Sequence, residues 1–168
     1  MKRIITTIIF SFFLLNSYAQ DSYVKLPVSE SNCPTVIIEK DIIANERVIE
    51  LAKELIAEIS FLKDKPNRKE HKFFNLTANG IYFVSLKKKT PFKKQSELNE
   101  FFGIEKNNAI FVNGYLIEHS DYKIASESII EIELVEPDSS NKLDRKAINV
   151  WTLTLEQRIS GCKRQNLN

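Results

Sequence analysis

The chain has 168 residues, with 24 Lys and Arg against 22 Asp and Glu and a formal net charge of +2. That length holds one compact domain or two small ones. The charge excess is carried by Lys2 and Arg3 at the start, so the remainder is balanced and gives no electrostatic ground for a nucleic-acid partner. Four glycines leave no room for a glycine-rich phosphate loop.

Lys2 and Arg3 precede an apolar run from Ile4 to Leu15 and the small-residue pattern Ser17-Tyr18-Ala19. This is the pattern of a secretory signal, expected over residues 1–20 and cleaved after Ala19 or Gln20. The run is about a dozen residues, short of the roughly 20 that a membrane-spanning helix needs. A mature chain without a transmembrane segment, periplasmic or secreted, is the expectation. A lipid anchor would need a cysteine where the signal ends, and the first is Cys33. In an oxidising compartment thiols pair, so a Cys33–Cys162 disulfide is expected; two unpaired tail thiols are the alternative, because spacing does not fix connectivity.

Residues 21–35 carry two prolines and no periodicity and read as an extended N-terminal segment. An α+β domain is expected over residues 36–157, followed by a tail over 158–168. Val36 to Ile38 reads as a short strand. From Asn45 to Leu62 the apolar residues Val48, Leu51, Ala52, Leu55, Ile56, Ile59 and Leu62 fall at helical spacing, with Asn45 as N-cap and Pro66 beyond the end. One long helix is predicted there, with Glu46, Glu50, Glu54 and Glu58 as a solvated stripe. A hairpin is predicted from Lys72–Ala78 and Ile81–Lys87 around Asn79-Gly80, the pair suited to a type I′ turn. Both of its faces are partly apolar, which calls for cover on both sides or for a partner at its edge. Ser96 is expected to cap a short helix that runs through Phe102 and stops at Gly103.

From Ala109 to Leu155 the pattern reads strand, Asn113-Gly114 turn, strand, helix, strand, linker, strand. Three segments carry it: Phe111-Val112-Asn113-Gly114, Ile129 to Val135, and Arg145 to Thr154. They resemble the C-terminal part of a TonB-dependent receptor plug domain of the Bacteroidetes type, with Lys146 and Asn149 standing where that family has glycines. The resemblance implies a plug-like C-terminal half and a place in the cell envelope. Single-chain outer-membrane barrels need at least eight strands of roughly 9 to 11 residues. A plug-like module standing alone is therefore expected, with one helix packed on a mixed sheet of about five or six strands.

Groups that could carry chemistry are sparse. His71 and His119 have no Cys or carboxylate at metal-ligand spacing, whereas a structural zinc site needs about four ligands. His119-Ser120-Asp121 has the residue types of a serine hydrolase, but adjacent side chains diverge and cannot form the relay. Glu131 and Glu133 share a strand face, roughly 6 to 7 Å apart by strand rise, and alternate with Ile130, Ile132 and Leu134 as in a strand with one buried face. No catalytic residue, cofactor or metal is assigned. Lys87, Lys88, Lys89, Phe92, Lys93 and Lys94 form the one basic segment, suited to an anionic surface at about 1 kcal/mol per Lys or to keeping a sheet edge soluble. The expected function is a non-enzymatic exported module that binds another envelope protein through the plug-like domain. The alternative is a small-ligand or anionic-lipid-surface binder using residues 87–94.

Overall fold

In the computed structural model, residues 22–27, 31–51, 53–68 and 71–162 are described. The expected signal and most of the expected tail lie outside them. The molecule is α+β and consists of two mixed sheets, one of six strands and one of four.

The first sheet grows from the β-branched run Thr35–Ile38, which forms β1 and is buried along its whole length. Glu39 and Lys40 reverse the chain with positive φ, and β2 (Ile42–Ala44) returns antiparallel to β1. Helix α1 (Glu46–Leu51) follows and lays Val48 and Ile49 against one face of this sheet. Strand β3 (Ile56–Leu62) pairs antiparallel with β4 (Ile81–Leu86), and β4 pairs parallel with β1. On the far side β8 (Lys123–Ala125) lies parallel to β2, and β5 (Phe92–Lys94) lies antiparallel to β8. The order is therefore β3-β4-β1-β2-β8-β5, with β3 and β5 as its edges. Helix α2 (Gln95–Phe101) follows β5 directly.

The second sheet has the order β7-β6-β10-β9, built from β6 (Ile110–Val112), β7 (Tyr115–Leu116), β9 (Glu131–Val135) and β10 (Ala147–Trp151). Asn113 and Gly114, at φ 52° and 82°, make the tight connection between β6 and β7, as their types predict. Ile37, Ile43, Ile81 and Ile124 of the first sheet share one core with Ile110, Val112, Ile148 and Val150 of the second. Each such side chain contributes about 1.5–3 kcal/mol relative to exposure. Helix α3 (Leu155–Ser160) is the last element among the described residues, capped by Thr154, whose hydroxyl accepts from the Gln157 N–H. Cys33 and Cys162 are bonded, so the expected disulfide is present.

Several expectations change. The long helix from Asn45 to Leu62 stops at Leu51, and Ile56–Leu62 is a strand. The ladder offered by β4 overrides a helical period that the β-branched and aromatic residues Ile56, Ile59 and Phe61 support only weakly. The acidic stripe is accordingly broken, with Glu58 on a strand rather than on a helix face. The predicted hairpin around Asn79-Gly80 does not form, because Phe74–Asn79 is a 3-10 helix. Its polar side chains are claimed elsewhere: Thr77 Oγ1 donates to the Phe74 carbonyl, and Asn75 accepts from the Val24 N–H and donates to the Leu116 carbonyl. The partner of β4 is instead β3, and β4 is an interior strand. Helix α2 begins at Gln95, so Ser96 is inside it rather than capping it, and Gly103 follows its end at φ 65°. In place of a helix between β7 and β9 the chain makes β8 and one 3-10 turn, Ser126–Ser128, and the strand expected to run to Leu155 ends at Trp151.

Gly80 sits at φ +88°, and a Cβ built there would lie 2.6 Å from the Phe61 ring. Gly80→Ala is therefore expected to lower stability by about 1–3 kcal/mol through backbone strain and overpacking. In a Phe61→Ala background the steric part of that loss should disappear in urea unfolding; equal losses in both backgrounds would contradict the contact.

Candidate functional site

The two edges of the six-stranded sheet differ in length and in lysine content, although β3 carries a bulge between Ile56 and Glu58. β5 is three residues long, fully exposed, and carries Lys93 and Lys94. Phe92 is opposite Ala125 and Lys94 opposite Lys123, so Phe92 and Lys94 share one face while Lys93 is on the other. The Phe92 ring already carries a cation, the Lys123 ammonium at 4.8 Å, which in turn is 2.7 Å from the Asp41 carboxylate. The Lys94 N–H is also taken, donating to the Glu97 carboxylate at 2.7 Å. Lys87, Lys88 and Lys89 are exposed just after β4. The six residues of the basic segment are thus spread over two faces and a turn. Short edges bearing lysine resist the addition of another strand.

β3 is the opposite case. It has seven residues, contains no Lys or Pro, and is exposed along most of its length. Which of its backbone groups face outward follows from the neighbouring ladder. The Thr35 and Glu39 N–H groups donate to the carbonyls of Gly80 and Val84, so the even-numbered residues of β4 address β1. Alternate residues address opposite sides. Ile81, Phe83 and Ser85 therefore bond to their partners Leu62, Ser60 and Glu58 on β3. Ile59 and Phe61 are left with N–H and C=O directed to the open edge, where no strand among the described residues pairs with them.

Their side chains are apolar and wet. Ile59 is 40% exposed and Phe61 47%, with Leu55 just before the strand at 38%. Ile59 lies opposite Val84 and Phe61 opposite Tyr82, their rings 4.5 Å apart, so both stand on the face that α1 covers further along. Helix α1 is only six residues long, and Ile59 and Phe61 stay exposed. An open backbone edge and an apolar side-chain row thus coincide. Helical spacing conceals these residues in the sequence; the one signal that could reveal them is the β-branched and aromatic alternation at Ile59 and Phe61.

The remaining candidates are tied into the framework. Glu131 pairs with the Arg158 guanidinium, and Glu133 accepts from the Asn149 side chain at 3.2 Å. His71 precedes the 3-10 helix; its Nδ1 accepts from the Phe73 N–H at 3.3 Å, and burial lowers its pKa. His119, Ser120 and Asp121 are exposed in sequence, and Lys72 bonds Asp121 at 3.0 Å and lowers its pKa. An open groove of about 740 Å³ runs past Gln95, His119, Lys142 and Arg145. Among the described residues no group of three or more His, Cys, Asp or Glu is placed to hold a metal ion, and no helix is long and apolar enough to cross a membrane. Comparison of the chain with family models, curated proteins and solved structures finds no match.

Proposed function

We propose that the protein is an exported, non-enzymatic interaction module of the cell envelope that binds another envelope protein by accepting a strand at the β3 edge. The observation that carries this reading is the open backbone of Ile59 and Phe61 beneath an exposed apolar row, on a sheet whose other edge is short and lysine-rich. Strand addition draws affinity from main-chain hydrogen bonds and specificity from alternate side chains, and β3 presents both. The disulfide supports a periplasmic or secreted location, since such bonds persist in oxidising compartments. The plug-like resemblance of residues 109–155 supports the envelope as the setting.

The test is a crosslinking pull-down from envelope extract with the chain from residue 21 onward. A specific partner should be recovered by the unaltered protein and lost with Ile59→Lys, which places a charge on the edge without touching the buried core. Replacing Lys87, Lys88 and Lys89 by Gln should leave recovery unchanged. Failure to recover any partner, or recovery indifferent to Ile59→Lys, overturns the proposal.

A further inference from the structure

Helix α3 is turned inside out. None of its six residues is buried, and its two apolar side chains, Leu155 and Ile159, are 64% and 76% exposed. The side chains turned inward are the polar ones, Gln157 and Arg158, both half-buried. A helix that belongs to a fold by its apolar face does the reverse. No residue of α3 joins any of the three buried clusters. Its non-covalent attachments are polar: the Gln157 amide donates to Glu46 at 2.6 Å, Arg158 pairs with Glu131, and the Arg158 guanidinium lies 4.4 Å over the Trp151 ring.

The ground beside and beneath the helix is incompletely satisfied. Trp151 and Asn45 are buried, yet Trp151 Nε1 and Asn45 Oδ1 have no hydrogen-bond partner among the described residues, and neither has Arg158 Nε. Asn45 belongs to the same spot, because it immediately precedes Glu46 and its Nδ2 donates to the carbonyl of Thr152, next to Trp151. A buried donor or acceptor without a partner carries its desolvation cost in full, and water relieves that cost when the cover lifts. The disulfide opposes the lifting. Cys33 is buried just ahead of β1, a strand buried along its whole length, whereas Cys162 follows α3 and is half-buried. One end of the bond is thus fixed in the framework and the other holds the helix.

We propose that α3 is a lid with a redox latch: reduction of Cys33–Cys162 by a dithiol lets the helix swing away from Trp151 while both sheets stay folded. The more accessible sulfur is Cys162 Sγ, so the thiolate of the dithiol attacks there. The protein S–S bond breaks, and Cys33 leaves as a thiolate and takes up a proton. The second thiolate of the reductant then displaces Cys162 from the mixed disulfide, and Cys162 takes up the second proton. Two electrons and two protons pass to the protein, and the dithiol leaves as a disulfide. Local opening of this kind is expected of an element with few buried apolar contacts. The lid stands apart from the strand-acceptor reading, which concerns β3.

Trp151 is the sole tryptophan of the chain and reports on the lid directly. With the chain from residue 21 onward, dithiothreitol should shift Trp151 emission to the red and raise acrylamide quenching severalfold, with far-UV circular dichroism nearly unchanged. The double variant Cys33→Ser/Cys162→Ser should show the quenched state with or without dithiothreitol. Hydrogen exchange read by mass spectrometry separates a lid from general unfolding: on reduction, residues 155–162 should lose protection while β1, β4 and β10 keep theirs. Trp151 equally shielded in both redox states, or in the double variant, overturns the proposal. So does loss of protection throughout the chain on reduction, because the bond would then hold the whole fold rather than α3.

Discussion

Cys162→Ser should lower the free energy of unfolding by about 2–5 kcal/mol, with the upper part of the range expected because the bond closes a long loop. Cys33 and Cys162 are 129 residues apart, and constraining an unfolded chain over that separation removes more entropy than a short loop does. The native surroundings add a local effect. Cys162 is held by its N–H donating to the Asn32 side chain at 3.0 Å, and the Gln157 amide of α3 donates to Glu46 at 2.6 Å. Without the covalent link α3 is held by these contacts, by the Arg158–Glu131 ion pair and by Arg158 over the Trp151 ring, while its exposed Leu155 and Ile159 give it little apolar anchorage. Urea unfolding with and without reductant tests the point. The reduced unaltered protein should match Cys162→Ser, and an unchanged midpoint in either sample would contradict the prediction.

Asn113→Ala should cost about 2–4 kcal/mol, from an unsatisfied buried amide of about 1–3 kcal/mol and a left-handed backbone of about 1–2 kcal/mol. Asn113 has φ 52° and is buried. Its Oδ1 accepts from the Thr152 N–H at 2.8 Å, and its Nδ2 donates to Thr152 Oγ1 at 2.9 Å. The network continues through buried neighbours: Asn45 Nδ2 donates to the Thr152 carbonyl at 2.9 Å, and the Gly114 N–H donates to Asn149 Oδ1 at 2.9 Å. One turn residue thus pins the β6–β7 connection to the end of β10. Asn113→Gly separates the two contributions, since glycine restores the backbone freedom but not the hydrogen bonds. Denaturant unfolding should rank Asn above Gly above Ala, with Gly and Ala about 1 kcal/mol apart; Ala equal to Gly would remove the backbone contribution.

The two Asn-Gly pairs show what the amino-acid sequence reveals and what it hides. At Asn113-Gly114 the flanking residues Ile110–Val112 and Tyr115–Leu116 pair with each other across the turn, and the hairpin forms as its residue types predict. At Asn79-Gly80 the same two residues follow Phe73, Phe74 and Leu76, which turn into the core as a 3-10 helix, and Gly80 instead makes room for the Phe61 ring. Local turn preference was equal in the two places; long-range packing decided between them. β3 was illegible for a related reason. An edge strand exposed on much of both faces has no buried side to impose a period of two, so Ile56, Ile59 and Leu62 continue the helical spacing of Val48 by coincidence. The α+β class, β1, β9, β10 and the disulfide were legible because β-branched burial, acid–apolar alternation and the presence of just two cysteines each act locally or independently of register. The candidate site was not, since it depends on which neighbour β4 takes.

The position of β8 ties the two sheets to each other. Residues 123–125 lie between β2 and β5 in the first sheet, although they follow the β6–β7 hairpin of the second in the chain. Until they arrive, β2 has one bare side and β5 has no neighbour at all. β6 likewise waits for residues 147–151 as its parallel partner. The six-stranded sheet has all its strands only once residue 125 is present, and the four-stranded sheet only once residue 151 is. Residues 109–155 therefore cannot be lifted out as an independent unit, because β8 would leave with them and strip β2 and β5 of their shared neighbour.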